Sequence, residues 1–317
     1  MSPKKLLPKL LLGAALITLA ACTQATVVAP PTPTSTSKVE RRAIVLGDIS
    51  DDPGEVIEGT QPLADYLASQ LSEYGITEGQ VRIAASADEM TALLKNGEVD
   101  LYFDSVYPAT RIGDASGAQP ILRRWRFSVE TYQTVIFASK ESGISSLDEL
   151  PGHIIAFDNQ YSTSGYLLPA VYLVEHGLDL VGKRTFNEPV SDQQVGFVFS
   201  FDDENTLQWV LGGLVAAGAT DDYHFSDDFL KKAKDQLIEL ARTEPVPRQV
   251  VVARPGIDPA LLEAIKTILI DADTTDAGMA ALEPFQTSQF DDFPEGIEAA
   301  QERMRAMMEI VQDLPLP

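Results

Sequence analysis

Four consecutive small or hydroxyl-bearing residues, Ser162-Thr163-Ser164-Gly165, separate two apolar runs of the chain. The run before them, HIIAFD, is typical of a strand, and the run after them, YLLPAVYLVEHG, is typical of a helix. The first N–H groups of a helix lack partners within the helix and carry the positive end of its dipole. Serine and threonine hydroxyls add donors, and glycine lets a ligand approach the backbone. The spacing therefore predicts a turn that can hold a tetrahedral oxyanion without lysine or arginine.

A helix cap is the alternative interpretation of Ser162 and Ser164, because serine side chains commonly cap helices. Pro169 adds a constraint, since a proline beyond the first turn removes one helical hydrogen bond. We therefore expect the helix to begin after Gly165 or to bend near Pro169. The spacing alone leaves the cap and the oxyanion site open.

Predicted strands and helices alternate on both sides of this turn. Before it, residues 43–46 and the runs QVRIAAS and VDLYFDS predict strands, and the first helix is expected to open at Thr60-Gln61-Pro62. After it, VGFVFS, DENTLQWVLGGL and VAAGATD predict a strand, a helix and a strand. This order is typical of parallel sheets with crossover helices, so the sequence predicts an α/β fold of two lobes.

The two lobes are expected to use discontinuous parts of the chain. We expect one lobe to combine residues 43–133 with 245–317 and the other to cover 134–244. The crossings between them are predicted in a long strand at 131–139 and in the segment EPVPRQVVVA. A ligand would then lie in the cleft between the lobes, at the carboxyl ends of strands and the N-termini of helices.

The N-terminal segment predicts export and lipidation. Residues 1–21 contain three lysines and then an apolar run too short to span a membrane, which is typical of a signal peptide. Leu-Ala-Ala-Cys ends this segment as a lipobox, so we expect Cys22, the only cysteine, to become a lipidated N-terminus rather than a buried thiol. The proline-, serine- and threonine-rich residues 22–42 are expected to form a disordered tether. The protein is therefore expected to be extracytoplasmic and anchored to a bacterial membrane.

The charge of the chain limits its partners. The formal net charge is −23, and residues 1–21 contribute three lysines and no acid. Such a strongly acidic protein is not expected to bind nucleic acid. Its three histidines are too scattered for a metal site, and the acidic clusters lack the ligand spacing of an EF-hand loop. We therefore expect neither a metal nor another cofactor.

The segment YSTSGYLLPAVYLVEHG closely resembles part of the phosphonate-, phosphate- and phosphite-binding components of ABC importers, which are type 2 periplasmic binding proteins. Further similar segments follow the same order within about residues 43–271: QPLADYLASQL, ALLKNGEVDLYFDSVYPA, YQTVIFASKESGISSLDELPGHIIAFD and EPVPRQVVVARPGID. The resemblance implies a monomeric, non-enzymatic two-lobe protein that closes on a phosphorus oxyanion and delivers it to a membrane permease. An extracytoplasmic sensor or a cleft enzyme on the same scaffold is the alternative.

The expected ligand-binding residues follow from the turn and from strand ends near the cleft. Backbone N–H groups near Gly165 and Tyr166 are expected to join the hydroxyls of the turn. Ser105 ends a strand and is a candidate donor from the other lobe. Three tyrosines near strand ends could donate phenol groups or simply pack as half-buried aromatic residues. They are Tyr107, Tyr132 and Tyr161.

Two positions depart from the family pattern. Phe201 lies in Ser200-Phe201-Asp202, where the family usually has a histidine. Ala216 aligns with an aspartate that often contacts the amine of an aminophosphonate. These differences weaken an aminoalkylphosphonate assignment and leave phosphate, phosphite, a simpler phosphonate or an unrelated small ligand open.

Overall fold

The computed structural model describes residues 43–226 and 233–317, and these residues form two sheet-containing lobes of the α/β class. The signal peptide, the tether and the lipidation at Cys22 that the sequence predicts lie outside the described residues. The strands are β1 Ala43–Ile49, β2 Glu78–Ala84, β3 Leu101–Asp104, β4 Gln119–Arg126, β5 Thr131–Tyr132, β6 Thr134–Ser139, β7 Ile154–Phe157, β8 Asp179–Gly182, β9 Gln194–Phe199, β10 Ala217–Asp221, β11 Leu237–Arg242, β12 Val246–Pro247, β13 Gln249–Ala253 and β14 Thr287–Asp291. The α-helices are α1 Pro53–Gln70, α2 Ala87–Asn96, α3 Val106–Ser116, α4 Leu168–Glu175, α5 Asp203–Leu211, α6 Pro259–Ile270, α7 Asp276–Leu282 and α8 Ile297–Val311.

Each lobe is built on one mixed six-stranded sheet. The first sheet has the order β14-β4-β13-β3-β1-β2, in which β1 pairs parallel with both β2 and β3. The second has the order β11-β6-β10-β7-β9-β8, in which β7, β8, β9 and β10 run parallel. Apolar residues of the strands and of the helices that cover them are buried on both sheets. Polar side chains that bind a ligand are expected beyond the carboxyl ends of the parallel strands, where the strands end and the apolar core stops.

The chain passes between the sheets at the two segments that the sequence predicts for the crossings. The long strand expected at 131–139 is interrupted at Gln133, so that β5 and β6 belong to different sheets. The segment EPVPRQVVVA is likewise interrupted at Arg248, between β12 and β13. Strands β5 and β12 pair with each other as a short antiparallel ribbon, with Val246 opposite Tyr132. The domain boundaries expected from the sequence stay a prediction.

The first helix begins earlier than the sequence predicted. Helix α1 starts at Pro53 because the side chain of Asp52 accepts hydrogen bonds from the N–H groups of Gly54 and Glu55. Pro62, expected near the helix start, lies inside α1. An aspartate cap followed by proline at the first helical position outweighs the later proline as a start signal.

The C-terminal helix α8 contacts both lobes. It packs against α3, which follows the first sheet's β3, and against α4, which precedes β8 of the second sheet. Arg305 of α8 forms an ion pair with Asp114 of α3, at 2.6 Å. Beyond α8, the carbonyl of Pro315 accepts a 2.8 Å hydrogen bond from the N–H of Gly182 at the end of β8. Across residues 43–226 and 233–317, no helix combines the length and apolarity that a membrane crossing needs.

Candidate functional site

A cavity of about 600 Å³ lies between the two lobes. Its first wall contains Asp104 and Ser105, at the carboxyl end of β3. Its second wall contains Asp158, Tyr161 and Ser162, which follow β7 of the other sheet. Three residues that the sequence predicts for the site, Ser105, Tyr161 and Ser162, are thus brought together around one cleft.

Two helix starts meet across this cleft. Helix α3 begins directly after Ser105, and the N–H of Tyr107 in its first turn donates a 3.1 Å hydrogen bond to Oγ1 of Thr163. Thr163 is 1% exposed and begins the helical segment of the other lobe. Both starts carry the positive end of a helix dipole. Their convergence creates a region suited to an anion although the chain as a whole is acidic.

The turn at Ser162 joins β7 to α4 and contains a helix cap, which is one of the two interpretations that the sequence left open. A π-helical turn covers Thr163–Leu167 and continues into α4, with Pro169 near the start of α4. The predicted strand-to-helix turn is therefore confirmed, and the α-helix begins after Gly165 as expected. Oγ of Ser162 accepts a 3.0 Å hydrogen bond from the N–H of Gly165, so Ser162 is a cap.

Ser164 does not cap this helix. The carbonyl of Ser164 accepts a 2.7 Å hydrogen bond from Oγ1 of Thr134, which fixes the backbone of the turn to β6. Its side chain is half-buried and lies near the phenol of Tyr132. The two serines of the turn therefore have different local roles, and substitutions can separate them.

Gly165 is required by a close approach within the lobe. A Cβ at this position would overlap the side chain of Asp158, and it would lie 2.9 Å from Oγ of Ser162. The carbonyl of Gly165 also accepts a 2.9 Å hydrogen bond from the N–H of Asp158. Burial raises the pKa of Asp158, against the effect of hydrogen bonds from Asn159 and Ser162. The absence of a side chain at Gly165 thus leaves room for the partly buried Asp158 beside the turn.

Tyr132 lies between the turn and a buried arginine. It is 2% exposed, and Cζ of Arg248 lies 4.5 Å from the centre of its ring. Burial raises the pKa of Tyr132, while the charge of Arg248 and hydrogen bonds with Thr163 and Ser164 act in the opposite direction. Tyr132 therefore remains a neutral phenol that connects Arg248 to the hydroxyls of the turn.

Tyr107 and Tyr161 both lie close to the guanidinium group of Arg111. Cζ of Arg111 lies 5.6 Å from the ring centre of Tyr107 and 5.0 Å from that of Tyr161. Arg111 lines the cleft and also a neighbouring cavity of about 440 Å³. Tyr166 lines only the neighbouring cavity of these two, and burial raises the pKa of its phenol to about 12. The ring of Tyr166 packs edge-on against that of Phe157, with 5.8 Å between the ring centres.

Several aspartates at strand ends were missed by the sequence analysis; Asp221 is buried and the other three are partly buried. Asp48 and Asp104 belong to the last residues of β1 and β3, Asp158 follows β7, and Asp221 ends β10. Burial, opposed by the hydrogen bond from the N–H of Ile49 and reinforced by the charge of Asp104, raises the pKa of Asp48 to about 6. An aspartate at the carboxyl end of an apolar strand was the available signal, because parallel strands end at the same edge of a sheet.

The structure corrects the expectation for Ala216. This residue precedes β10, whose start pairs with the start of β7, so Ala216 lies at the opposite end of the sheet from the cleft. The acidic residue of β10 at the cleft end is Asp221, which accepts a 2.8 Å hydrogen bond from Nδ1 of His224. Burial opposes ionisation of Asp221, but the bonds and charge of His224 and the charge of Arg248 outweigh it and lower the pKa of Asp221.

Phe201 lies at the end of β9 with its side chain in solvent. It is 74% exposed and has a left-handed backbone, with φ of 63°. Its N–H donates a 2.8 Å hydrogen bond to the carbonyl of Asp158, so the backbone is held beside the cleft. The aromatic side chain supplies no polar group where the family usually has a histidine.

No metal centre is formed by the part of the chain that the structure describes: no group of three or more histidine, cysteine, aspartate or glutamate side chains is arranged to hold an ion. The polar groups of the cleft are hydroxyls, backbone N–H groups, carboxyls and arginines. This set can bind and orient a ligand by hydrogen bonds and charge.

Solved structures share this architecture. XAC2383 from Xanthomonas citri, bound to ATP, has 28% sequence identity and a TM-score of 0.79, covering 86% of this chain and 99% of that one. PhnD1 from Prochlorococcus marinus, in complex with methylphosphonate, has 16% identity and a TM-score of 0.61, with coverage of 86% and 99%. The aliphatic sulphonate binding protein SsuA from Escherichia coli has 13% identity and a TM-score of 0.53, with coverage of 86% and 89%. The last two show the fold alone, which is that of type 2 periplasmic binding proteins.

The family assignment comes from the sequence match. The family described as "ABC transporter, phosphonate, periplasmic substrate-binding protein" matches residues 49–294, which include every strand after β1 and the Ser162–Gly165 turn. Its members are binding proteins of transporters, not enzymes. The chain therefore belongs to the phosphonate-binding family of periplasmic substrate-binding proteins of ABC transporters.

Proposed function

We propose that this protein is a lipid-anchored, extracytoplasmic component of an ABC importer that binds a phosphorus oxyanion between its lobes. The observation that carries the proposal is the meeting of two helix starts, where the N–H of Tyr107 reaches Oγ1 of Thr163. An oxyanion between these starts would accept hydrogen bonds from the hydroxyl of Ser164 and from backbone N–H groups of both lobes. Since both lobes contribute donors, ligand binding would favour the closed form.

The hydrogen-bond donors and charges that line the cleft limit the ligands that it can bind. Helix N-termini and hydroxyls bind phosphate, phosphite and phosphonate oxygens in the same way. Arg111, at the side of the cleft, adds one positive charge. Asp104 and Asp158 in the same cavity oppose a second anionic group near them. We therefore assign the anionic site to one phosphoryl-type group.

A larger organic phosphate is the second candidate ligand. XAC2383, which was solved with bound ATP, is 28% identical to this chain over 99% of its own length. The cleft cavity of about 600 Å³ is within the range of roughly 300–1,000 Å³ that holds organic ligands. Both observations favour a phosphoryl group with an organic substituent over inorganic phosphate.

A thermal-shift screen of the purified chain tests the ligand class. The panel consists of phosphate, phosphite, methylphosphonate, aminoethylphosphonate, ATP and sulfate. We expect at least one phosphorus compound to raise the melting temperature at millimolar concentration, since a ligand that binds only the folded state stabilises it. Stabilisation by sulfate alone, or by none of the panel, would contradict the proposal.

A further inference from the structure

A second cavity adjoins the cleft within the first lobe. It has a volume of about 290 Å³ and shares Ile49 and Asp104 with the cleft cavity. A phosphoryl group held between the two helix starts leaves this second cavity unfilled. Its walls show which chemical group could enter it.

Asp48 provides a carboxylate oxygen for that group. Its Oδ1 accepts a 2.7 Å hydrogen bond from the N–H of Ile49, whereas its Oδ2 makes no hydrogen bond with any described residue. Asp104 is different, because it accepts hydrogen bonds from the phenol of Tyr102 and from the N–H of Ser105. Among the carboxylates that line this cavity, Asp48 is therefore the partly buried one with an oxygen available to a ligand, whereas Glu55 is exposed.

Arg126 provides the matching donor. Its neighbour in the cavity, Arg124, is committed to the fold through 2.7 Å hydrogen bonds to Thr287 and Gln249. Arg126 donates one 3.1 Å bond to Gln286, and its buried Nε has no partner among the described residues. Burial and the charge of Arg248 lower the pKa of Arg126. A buried donor without a partner is costly, so an acceptor from a ligand would remove that cost.

We infer that this cavity is a subsite for hydroxyl groups, and that the ligand is a phosphate ester of a sugar-like, polyhydroxylated group. The inference rests on the proposed function, because it adds an organic part to the anion held at the Ser162–Gly165 turn. A hydroxyl both donates and accepts, so neighbouring hydroxyls can donate to Oδ2 of Asp48 and accept from Nε of Arg126. A second anion would face Asp48 and Asp104, and a cation would face Arg126.

Calorimetric titration with three probes tests the subsite: inorganic phosphate, ribose 5-phosphate and D-ribose. The variants are Asp48→Asn and Arg126→Gln, with Arg82→Gln as the matched control because Arg82 lies in an exposed pair with Glu98. We expect wild type and Arg82→Gln to bind ribose 5-phosphate at least about tenfold more tightly than phosphate. Each cavity variant should lose about tenfold for ribose 5-phosphate and change little for phosphate.

The titrations distinguish failure of the subsite from failure of the proposed function. Equal affinity of wild type for phosphate and ribose 5-phosphate, or equal losses for both in the cavity variants, overturns the subsite and leaves the oxyanion site standing. Absence of binding by both phosphorus compounds overturns the proposed function if phosphite, methylphosphonate, aminoethylphosphonate and ATP also fail to stabilise the protein in the thermal-shift screen. In that case the subsite stands only if D-ribose binds wild type and loses affinity in Asp48→Asn, and it falls if D-ribose does not bind.

Discussion

The backbone N–H of Tyr107 donates a 3.1 Å hydrogen bond to Oγ1 of Thr163, which lies 56 residues later in the chain and in the other lobe. This bond brings the start of α3 against the turn that begins at Ser162. Neither helix start alone would define a site, because N–H groups at a helix start are ordinarily satisfied by caps and water. We propose that their meeting at the cleft provides the hydrogen-bond donors for an anion.

Ser162→Ala and Ser164→Ala are expected to differ in their effect on oxyanion affinity. Ser162 caps the helical turn through Gly165, so its loss should lower the free energy of unfolding by about 1 kcal/mol. Ser164 has no capping bond but hydrogen-bonds with Tyr132, so Ser164→Ala should lower the free energy of unfolding by about 0.5–1.5 kcal/mol, and the loss of affinity is what distinguishes it from Ser162→Ala. Because hydrogen bonds to charged groups contribute about 1.5–3 kcal/mol, Ser164→Ala should weaken oxyanion affinity by roughly tenfold or more. Thermal melts and calorimetric titration measure the two quantities.

Thr163→Val completes this series. It removes the acceptor of the bond from Tyr107 while keeping the side chain's volume, so it should weaken both the contact between lobes and ligand affinity. Wild-type affinity in Ser164→Ala and Thr163→Val would assign the turn to structure alone and move the oxyanion site elsewhere.

Asp48→Asn should stabilise the protein at neutral pH. Burial raises the pKa of Asp48 from 3.8 to about 6, so between these values the folded state holds a proton that the unfolded state has lost. Asp48 therefore lowers wild-type stability as pH rises from about 4 to about 6. At about pH 7.5, the free energy of unfolding of Asp48→Asn should exceed that of wild type by up to about 3 kcal/mol, since each pKa unit corresponds to about 1.4 kcal/mol.

Urea unfolding of wild type and Asp48→Asn at about pH 4 and about pH 7.5 measures this difference. Glu73→Gln, on an exposed short helix, is the control for the removal of one carboxyl group. A variant that is less stable than wild type at the higher pH would show that ionised Asp48 stabilises the fold.

Gly182→Ala should detach the C-terminal tail from β8. A Cβ at Gly182 would overlap the carbonyl oxygen of Pro315, and both partners are backbone, which cannot rotate away. Such overpacking typically costs about 1–3 kcal/mol. In a chain truncated after Asp313, Gly182→Ala should change the free energy of unfolding very little, because Pro315 is absent. A double-mutant cycle from urea unfolding gives the coupling free energy between Gly182→Ala and the truncation. Additive effects of the two changes would contradict the contact between the C-terminal tail and β8.

Cys22→Ala tests the anchoring predicted from the sequence. A lipobox cysteine is needed for lipid attachment, so the variant should leave the membrane fraction or remain as the unprocessed precursor. Fractionation of expressing cells and the mass of the mature chain are the measurements. Unchanged processing and membrane partitioning would contradict lipidation at Cys22.

The turn at Ser162 could be predicted from the sequence because its signal is local: an apolar strand, four small residues and an apolar helix. Helix α3, which forms the opposite side of the site, could not. Its sequence VYPATRIGDAS contains Pro108 and Gly113 and has no strong helical pattern. Pro108 is tolerated in the first turn, where its missing N–H needs no partner. Packing against the sheet, α2 and α8 supports the rest of the helix.

The buried charges of the first lobe depend on contacts that sequence patterns do not encode. Asp48 in GDIS resembles an exposed turn aspartate until β1 and β3 place it beside Asp104. Arg124 and Arg126 resemble surface residues of a basic run, yet residues more than 100 positions away bury Arg124. The sequence therefore predicts the fold class, one side of the cleft and Ser105 on the opposite side, and tertiary pairing determines the remaining groups of that opposite side.

A crystal structure of the protein with the phosphorus compound that stabilises it most tests the central claim most directly. We predict phosphoryl oxygens at hydrogen-bond distance, about 2.7–3.2 Å, from the Ser164 hydroxyl and from N–H groups at the starts of both facing helices, with the lobes closed around them. A bound phosphoryl group that contacts neither the Ser162–Gly165 turn nor the start of α3 would contradict it.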